Sequence, residues 1–223
     1  MNDQTVLTYS QVREAALDDW RWLVGGLHAR FATGDFATGL ALAGRIGAAA
    51  EEADHHPDLD LRYPHLSVKL VSHDVGGVTA RDVRMARRIS ELAADLGVAA
   101  DPAGIRVLEL ALDTADHARV APFWRALLGY VDSPVHGDRE VVDSDGRLTT
   151  LWFQRTEPHD VPRQRFHLDV VVPPEQARAR IDAALAAGGT LVTDEHAPAF
   201  WVLADADGNR ACVCTPEGRS GGS

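Results

Sequence analysis

Apolar and polar positions along this chain fall into two patterns, one stepping by three or four residues and one alternating. Val12, Ala16, Leu17, Trp20 and Leu23 recur at mixed helical spacing behind Ser10, a residue able to cap a helix, and predict a first helix over 11–23. Gly25-Gly26 breaks it, and 27–31 reads as a short strand. Asp35 is a good N-cap for a second helix whose apolar face runs through Phe36, Leu40, Ala43, Ile46 or Gly47, and Ala50. Pro57 disfavours helical geometry at His56, so this helix stops at or just before the pair His55-His56. Leu66, Val68 and Leu70 then alternate with Ser67, Lys69, Val71 and His73, a strand with one core face that delivers His73 at its far end. Thr79 with Asp82 three residues on has the form of a capping box, opening a helix with Val83, Ala86, Ile89 and Leu96 on its apolar face and Gly97 as its stop. Asp82 is read here as a cap residue and nothing more.

Periodicity is lost over 98–104, where Pro102 and Gly104 occur, and 99–104 is expected to be a linker. Beyond it the pattern repeats. A strand over 106–113, a helix over 117–128 stopped by Gly129, and strands at 141–142 and 148–155 are echoed by a strand over 166–172, a helix over 174–187 and strands at 191–193, 200–204 and 210–214. Two βαβββ units of similar length read as a duplicated half-barrel. The fold class expected is therefore α+β: a small α+β domain over 1–98, a paired βαβββ domain over 105–217, and a polar tail over 218–223.

Composition narrows the function classes. The chain of 223 residues has a net charge of −11, with 10 basic against 14 acidic residues before residue 99 and 12 against 19 after it. Neither half carries a basic block, so no nucleic-acid partner is expected. No apolar run approaches the roughly 20 residues that cross a bilayer, and the N-terminus lacks a basic segment followed by an apolar one, so neither membrane nor secretory signal is expected. Cys212 and Cys214 are the only cysteines, two apart and on one face of a strand, which excludes a disulfide scaffold and suits a reducing cytoplasm.

The chemistry-bearing stretch is 51–74. It holds Glu51, the pair His55-His56 before Pro57, Tyr63, and Ser72-His73-Asp74. Imidazole titrates nearest neutral pH, so converging histidines can both deliver and remove protons. Glu51 lies one turn before His55 and would share its face if the helix reached that far.

These residues, with Trp22, Arg30-Phe31, Phe36, Gly77 and Asp82, make 5–97 resemble the pterin-4a-carbinolamine dehydratase family. The resemblance implies dehydration of a 4a-hydroxytetrahydropterin to the quinonoid dihydropterin without metal or redox cofactor, so no cofactor is expected. It implies a catalytic set of His55, His56 and His73, with His55 and His73 as acid and base in unassigned order and His56 holding the pterin. Glu51, Tyr63 and Asp74 complete the substrate site, with Glu51 able to orient His55.

The second half resembles the glyoxalase and bleomycin-resistance fold of the vicinal-oxygen-chelate superfamily. The carriers are Phe123-Trp124, Leu128-Gly129, Phe166-His167-Leu168-Asp169 and Asp205-Ala206-Asp207-Gly208-Asn209. Metal-using members draw one ligand from the first and one from the last strand of each unit. By that resemblance Glu109, Gln154, His167 and Cys212 occupy the four positions, an unorthodox set for a hard divalent cation. A metal-free pocket lined by Glu109, Gln154 and His167 is expected, with both cysteines in the barrel wall and the Asp205–209 stretch as a tight turn. Both resemblances imply a homo-oligomer, and the first implies a small-molecule pterin substrate. The alternatives left open are a barrel that carries the main activity or only binds a small molecule, with the first domain as an accessory or dimerisation module.

Overall fold

Thr8, rather than Ser10, starts the first helix. Its hydroxyl accepts from the backbone N–H of Gln11 while the Gln11 side chain reaches back to the Thr8 N–H, a reciprocal cap on α1 (Tyr9–Glu14). The structure, a computed structural model, describes residues 3–23, 26–105, 107, 109–158, 167–172, 174–215 and 217. Two compact units divide it, Met1–Val107 and Leu108–Ser223. Gly25, Arg106, Phe166 and the tail 218–223 lie outside the described residues.

The helix expected over 11–23 is shorter than its spacing suggested. Ala16 adopts φ 50, which ends it, and Trp20–Leu23 forms β1, hairpin-paired with β2 (Gly26–Ala32) through Leu23↔Gly26. Trp20 and Trp22 flank the exposed Arg21 at period two, and that alternation wins over a mixed helical spacing. α2 (Phe36–Ala53) starts at Asp35, whose side chain accepts from the Thr38 N–H. Its buried face is Gly39, Leu42, Ile46 and Ala50; Phe36 and Leu40 point outward, correcting the expected face. The reason is β3 (Asp58–Arg62), which crowds this side of α2: a Cβ at Gly39 would lie 2.5 Å from Leu61 Cδ1.

β4 (His65–Leu70) buries Leu66, Val68 and Leu70, as alternation predicted, and α3 (Ala80–Asp95) carries the expected Thr79/Asp82 capping box and apolar face. The antiparallel order is β1-β2-β4-β3, with α2 and α3 packed over one core of Phe31, Leu42, Ile46, Leu66 and Ile89. The stretch expected as a linker is fastened instead. β5 (Ala99–Ala100) pairs with Phe31 and Ala32 of β2. Asp101 caps a 3-10 turn over Pro102–Gly104 and accepts from Arg30 at 2.9 Å, so the Pro and Gly serve an ordered turn.

In the second unit β6 (Glu109–Thr114), α4 (His117–Leu128), β7 (Val131–Ser133), β8 (Gly137–Val142) and β9 (Thr150–Arg155) are repeated as β10 (Leu168–Val171), α5 (Pro174–Ala186), β11 (Thr190–Thr193), β12 (Phe200–Ala204) and β13 (Arg210–Cys214). Each module forms its own four-stranded sheet, ordered β6-β9-β8-β7 and β10-β13-β12-β11, with first and last strands parallel. Phe123, Trp124 and Leu127 of α4 meet Ile181 and Ala184 of α5 in one core with Leu151, Phe153, Leu203 and Val213. The Asp205–Asn209 stretch is a tight turn. Buried Asp205 accepts from the N–H groups of Asp207 and Asn209, from Asn209 Nδ2, and from Trp124 Nε1 at 2.9 Å, tying β12–β13 to α4. Among the described residues, no helix is long and apolar enough to cross a membrane.

Candidate active site

The second helix ends in a way that separates the two adjacent histidines. Asp54 closes α2 in the left-handed region (φ 46), and the N–H groups of Asp54 and His55 both return to the Ala50 carbonyl. The chain leaves the helix axis there, so His55 turns inward and is buried while His56 stays at the surface. The expected Glu51–His55 partnership is thereby replaced: Glu51 accepts from His56 Nε2 at 3.1 Å, with both side chains more than half exposed. An i, i+4 argument fails because residue 55 is no longer helical.

His55 has a stronger partner. Its Nε2 lies 2.8 Å from Oδ1 of Asp82, a wholly buried carboxylate at the start of α3. A carboxylate offers only acceptors, so Nε2 donates to it and Nδ1 is the ring nitrogen left for another contact. Among the described residues Nδ1 has no hydrogen-bond partner. The second oxygen, Oδ2, accepts from the Thr79 N–H at 2.7 Å, from Thr79 Oγ1 at 3.2 Å and from Ser72 Oγ at 2.7 Å. Asp82 therefore does what a capping residue does, and also holds a histidine 27 residues away. Sequence reasoning missed that second role. The available signal was an acidic residue at a cap position of a family resemblance that also contained the histidines.

Ser72 connects the third histidine. Its carbonyl accepts from Val75, Gly76 and Gly77, and its N–H donates to the Gly77 carbonyl, closing a turn on which His73 stands exposed. The same turn carries Asp74, which accepts from Arg81 at 2.6 Å; that guanidinium holds the carboxyl below its usual range. His55 and the His73 turn are thus anchored to opposite oxygens of one carboxylate. Tyr63 is brought less close by any bond: it sits 69% exposed in the β3–β4 turn. His65 next to it is engaged by Arg30 at 3.1 Å, and burial together with that cation pushes its pKa down.

The second unit places its candidates differently. β6 and β9 are paired so that Glu109 faces Thr150 and Gln154 faces Asp113. Four residues of offset at about 3.3 Å each put Gln154 about 13 Å along the strands from Glu109. The two cannot share an ion, which corrects the ligand assignment for Gln154. The position matching Cys212 in the repeat is Trp152, opposite Ala111 as Cys212 is opposite Asp169. In the second module His167 Nε2 lies 3.3 Å from Asp169 Oδ1. The Cys212 thiol is pushed up to about 11 by burial and by the neighbouring Asp169 charge, so it is no nucleophile at neutral pH.

Comparison with known proteins matches these two regions to two families. The pterin 4 alpha carbinolamine dehydratase family matches residues 5–92 and the glyoxalase-like domain matches residues 109–214. A Mycobacterium leprae protein named as a pterin-4-alpha-carbinolamine dehydratase is 41% identical over 93 residues, 41% of this chain and 99% of that protein. A Mycolicibacterium smegmatis protein of the same name is 37% identical over 92 residues, 40% of this chain and 98% of its own. Among solved structures, a transcriptional coactivator/pterin dehydratase from Brucella melitensis is 34% identical, with a TM-score of 0.38 over 40% of this chain and 99% of its own. A glyoxalase/bleomycin resistance protein/dioxygenase family enzyme from Burkholderia phytofirmans is 17% identical, with a TM-score of 0.40 over 48% and 95%.

Proposed function

Because the chain belongs to the pterin-4-alpha-carbinolamine dehydratase family through its first unit, and carries a glyoxalase-like domain in its second, we propose that it removes water from a 4a-hydroxytetrahydropterin to give the quinonoid dihydropterin. The step needs a proton delivered to the departing 4a-oxygen and a proton taken from a ring nitrogen. The N–H electron pair becomes the new C=N bond as the C–O bond breaks. Two imidazoles, a side chain that can both give and take a proton, suit both ends of that transfer.

The observation that carries the reading is the Asp82 bridge. One buried carboxylate fixes His55 through Oδ1 and, through Ser72 on Oδ2, the turn bearing His73. His55 presents a free Nδ1, and the exposed His73 stands where a substrate can reach it. In this reading His56, steadied by Glu51, binds the pterin, and Tyr63 and Asp74 border it.

The test is the rate at which purified full-length protein accelerates dehydration of 4a-hydroxytetrahydropterin. His73→Ala and His55→Ala are each expected to lower it by about 10²- to 10⁴-fold, the usual worth of a positioned acid or base. His73 is exposed, so its variant should keep the fold. A folded His73→Ala protein with the parent rate would overturn the assignment.

A further inference from the structure

The turn that presents His73 is held from inside by Asp82 through Ser72, and a second set of contacts grips it from outside. Residues 3–7 run alongside 74–78 in the same direction. Gln4 Nε2 donates to Asp74 Oδ2 at 3.5 Å, Val6 lies over Gly77, and the Leu7 N–H donates to the Val78 carbonyl at 2.8 Å. Both ends of this run are fixed. Leu7 packs on the core of the first unit and Thr8 caps α1, while the Asp3 carboxylate accepts from both terminal nitrogens of Arg84 on α3, at 2.8 and 3.1 Å.

The fit over the turn is close. A Cβ at Gly77 would stand 2.7 Å from Val6 Cγ1 and 3.1 Å from Cγ2, so only glycine lets the valine lie against the backbone there. Gly77 in turn closes the loop, because its N–H and its carbonyl both meet the backbone of Ser72. Asp74 is gripped at both oxygens, Oδ2 by Gln4 and Oδ1 by Arg81. His73 therefore stands between a residue fixed from inside, Ser72, and one fixed from outside, Asp74. Its own side chain is exposed and has no packing to orient it. An acid or base so placed takes its position from the backbone on either side, and a misplacement of about 1 Å can cost on the order of 100-fold in rate. Val6 is 48% exposed and lies outside the core of the first unit, so its contact with Gly77 does little for the core and much for the turn.

We propose that residues 3–7 are a positioning strap for His73, setting the turn that presents it to the pterin. The proposal rests on the dehydratase reading of His73 and adds residues that touch no substrate. Val6 bears on Gly77, Leu7 ties Val78, and Gln4 shares Asp74 with Arg81.

Purified full-length protein tests it with two readouts, amide deuterium exchange in the turn and the kinetics of 4a-hydroxytetrahydropterin dehydration. Val6→Gly should speed exchange of the Gly76 and Gly77 amides about 10-fold. It should lower kcat about 10-fold with KM within about twofold of the parent, and the loss should persist well below the unfolding midpoint, where a merely destabilised protein regains the parent rate. Val6 is exposed, so this variant keeps the fold. Gly77→Ala should act alike by driving the valine off the turn. In Val6→Gly/Gly77→Ala the new methyl enters the vacated space, so the double variant should lose no more than either single one. Arg88→Ala, at an exposed ion pair with Glu91 on α3, should leave both readouts unchanged. A parent protein that does not accelerate dehydration would sink the dehydratase reading, and the exchange rates would then judge the strap by themselves. The strap is overturned if Val6→Gly exchanges like the parent, if exchange rises while kcat stays the same, or if the two losses multiply in the double variant.

Discussion

Both units contain a histidine beside an aspartate, and the two pairs could hardly be placed more differently. His55 and Asp82 lie 2.8 Å apart with the carboxylate wholly buried, and that carboxylate accepts three further hydrogen bonds. His167 and Asp169 lie 3.3 Å apart with both side chains about half exposed. Burial makes the first pair costly to disturb, because each donor around Asp82 loses a partner it cannot replace with water. Exposure leaves the second pair adjustable. The first arrangement suits an acid/base site that must hold one ring orientation; the second holds no ring to one orientation. Pair identity alone says neither.

The contrast can be broken most directly at Asp82. Asp82→Ala should cost the first unit about 3–5 kcal/mol, because several buried donors at roughly 1–3 kcal/mol each lose their acceptor, and thermal or urea unfolding measures it. A loss below 1 kcal/mol (~1 kcal/mol being the scale of one ordinary hydrogen bond) would show that the network is not what anchors α3 to the His73 turn. The milder Asp82→Asn separates positioning from folding: kcat should fall at least about 10-fold with KM little changed, since the residue acts through His55.

Cys212 sharpens the other side. With its pKa raised from 9.0 to about 11, alkylation of this thiol below pH 9 should run about 100-fold slower than that of a thiol at the unshifted value. The raised value also sets a pH window. The folded state favours the protonated thiol, so this contribution to stability is complete below pH 9.0 and is lost as pH rises towards 11. Rapid labelling at pH 8 in the folded protein would contradict both statements. The smallest effect belongs to Asp169→Asn. Stability should shift by no more than about 0.5 kcal/mol, as for other exposed ion pairs. A larger loss would show the second pair to be structural.

Much of the architecture was legible because it rests on local physics. Helices α2 and α3 start at Asp35 and Thr79, as side-chain capping requires, and α4 stops at Gly129 with φ 73. The period-two burial of Leu66, Val68 and Leu70, and the repeated βαβββ order, follow from patterning alone. Failures came where local signals competed. Trp20 and Trp22 fit a helix or a strand, and pairing with β2 decided for the strand. Phe36 and Leu40 continued an apolar stripe, but β3 covered the adjacent face through Gly39. Pro102 and Gly104 read as a linker, yet Asp101 and Arg30 fastened that stretch to the first sheet.

The same division holds for the sites. Sequence put forward the candidates: the His55-His56 pair after a helix and His73 after a strand by residue type and spacing, and the repeat positions of Glu109, His167 and Cys212 through a family resemblance. Only the tertiary structure decided which of them work together, because the partners are remote in the chain and are chosen by backbone geometry. A left-handed residue at Asp54 gave His55 to Asp82 and His56 to Glu51. Strand register put Gln154 four residues along from the partner of Glu109 and set Asp169 opposite Cys212.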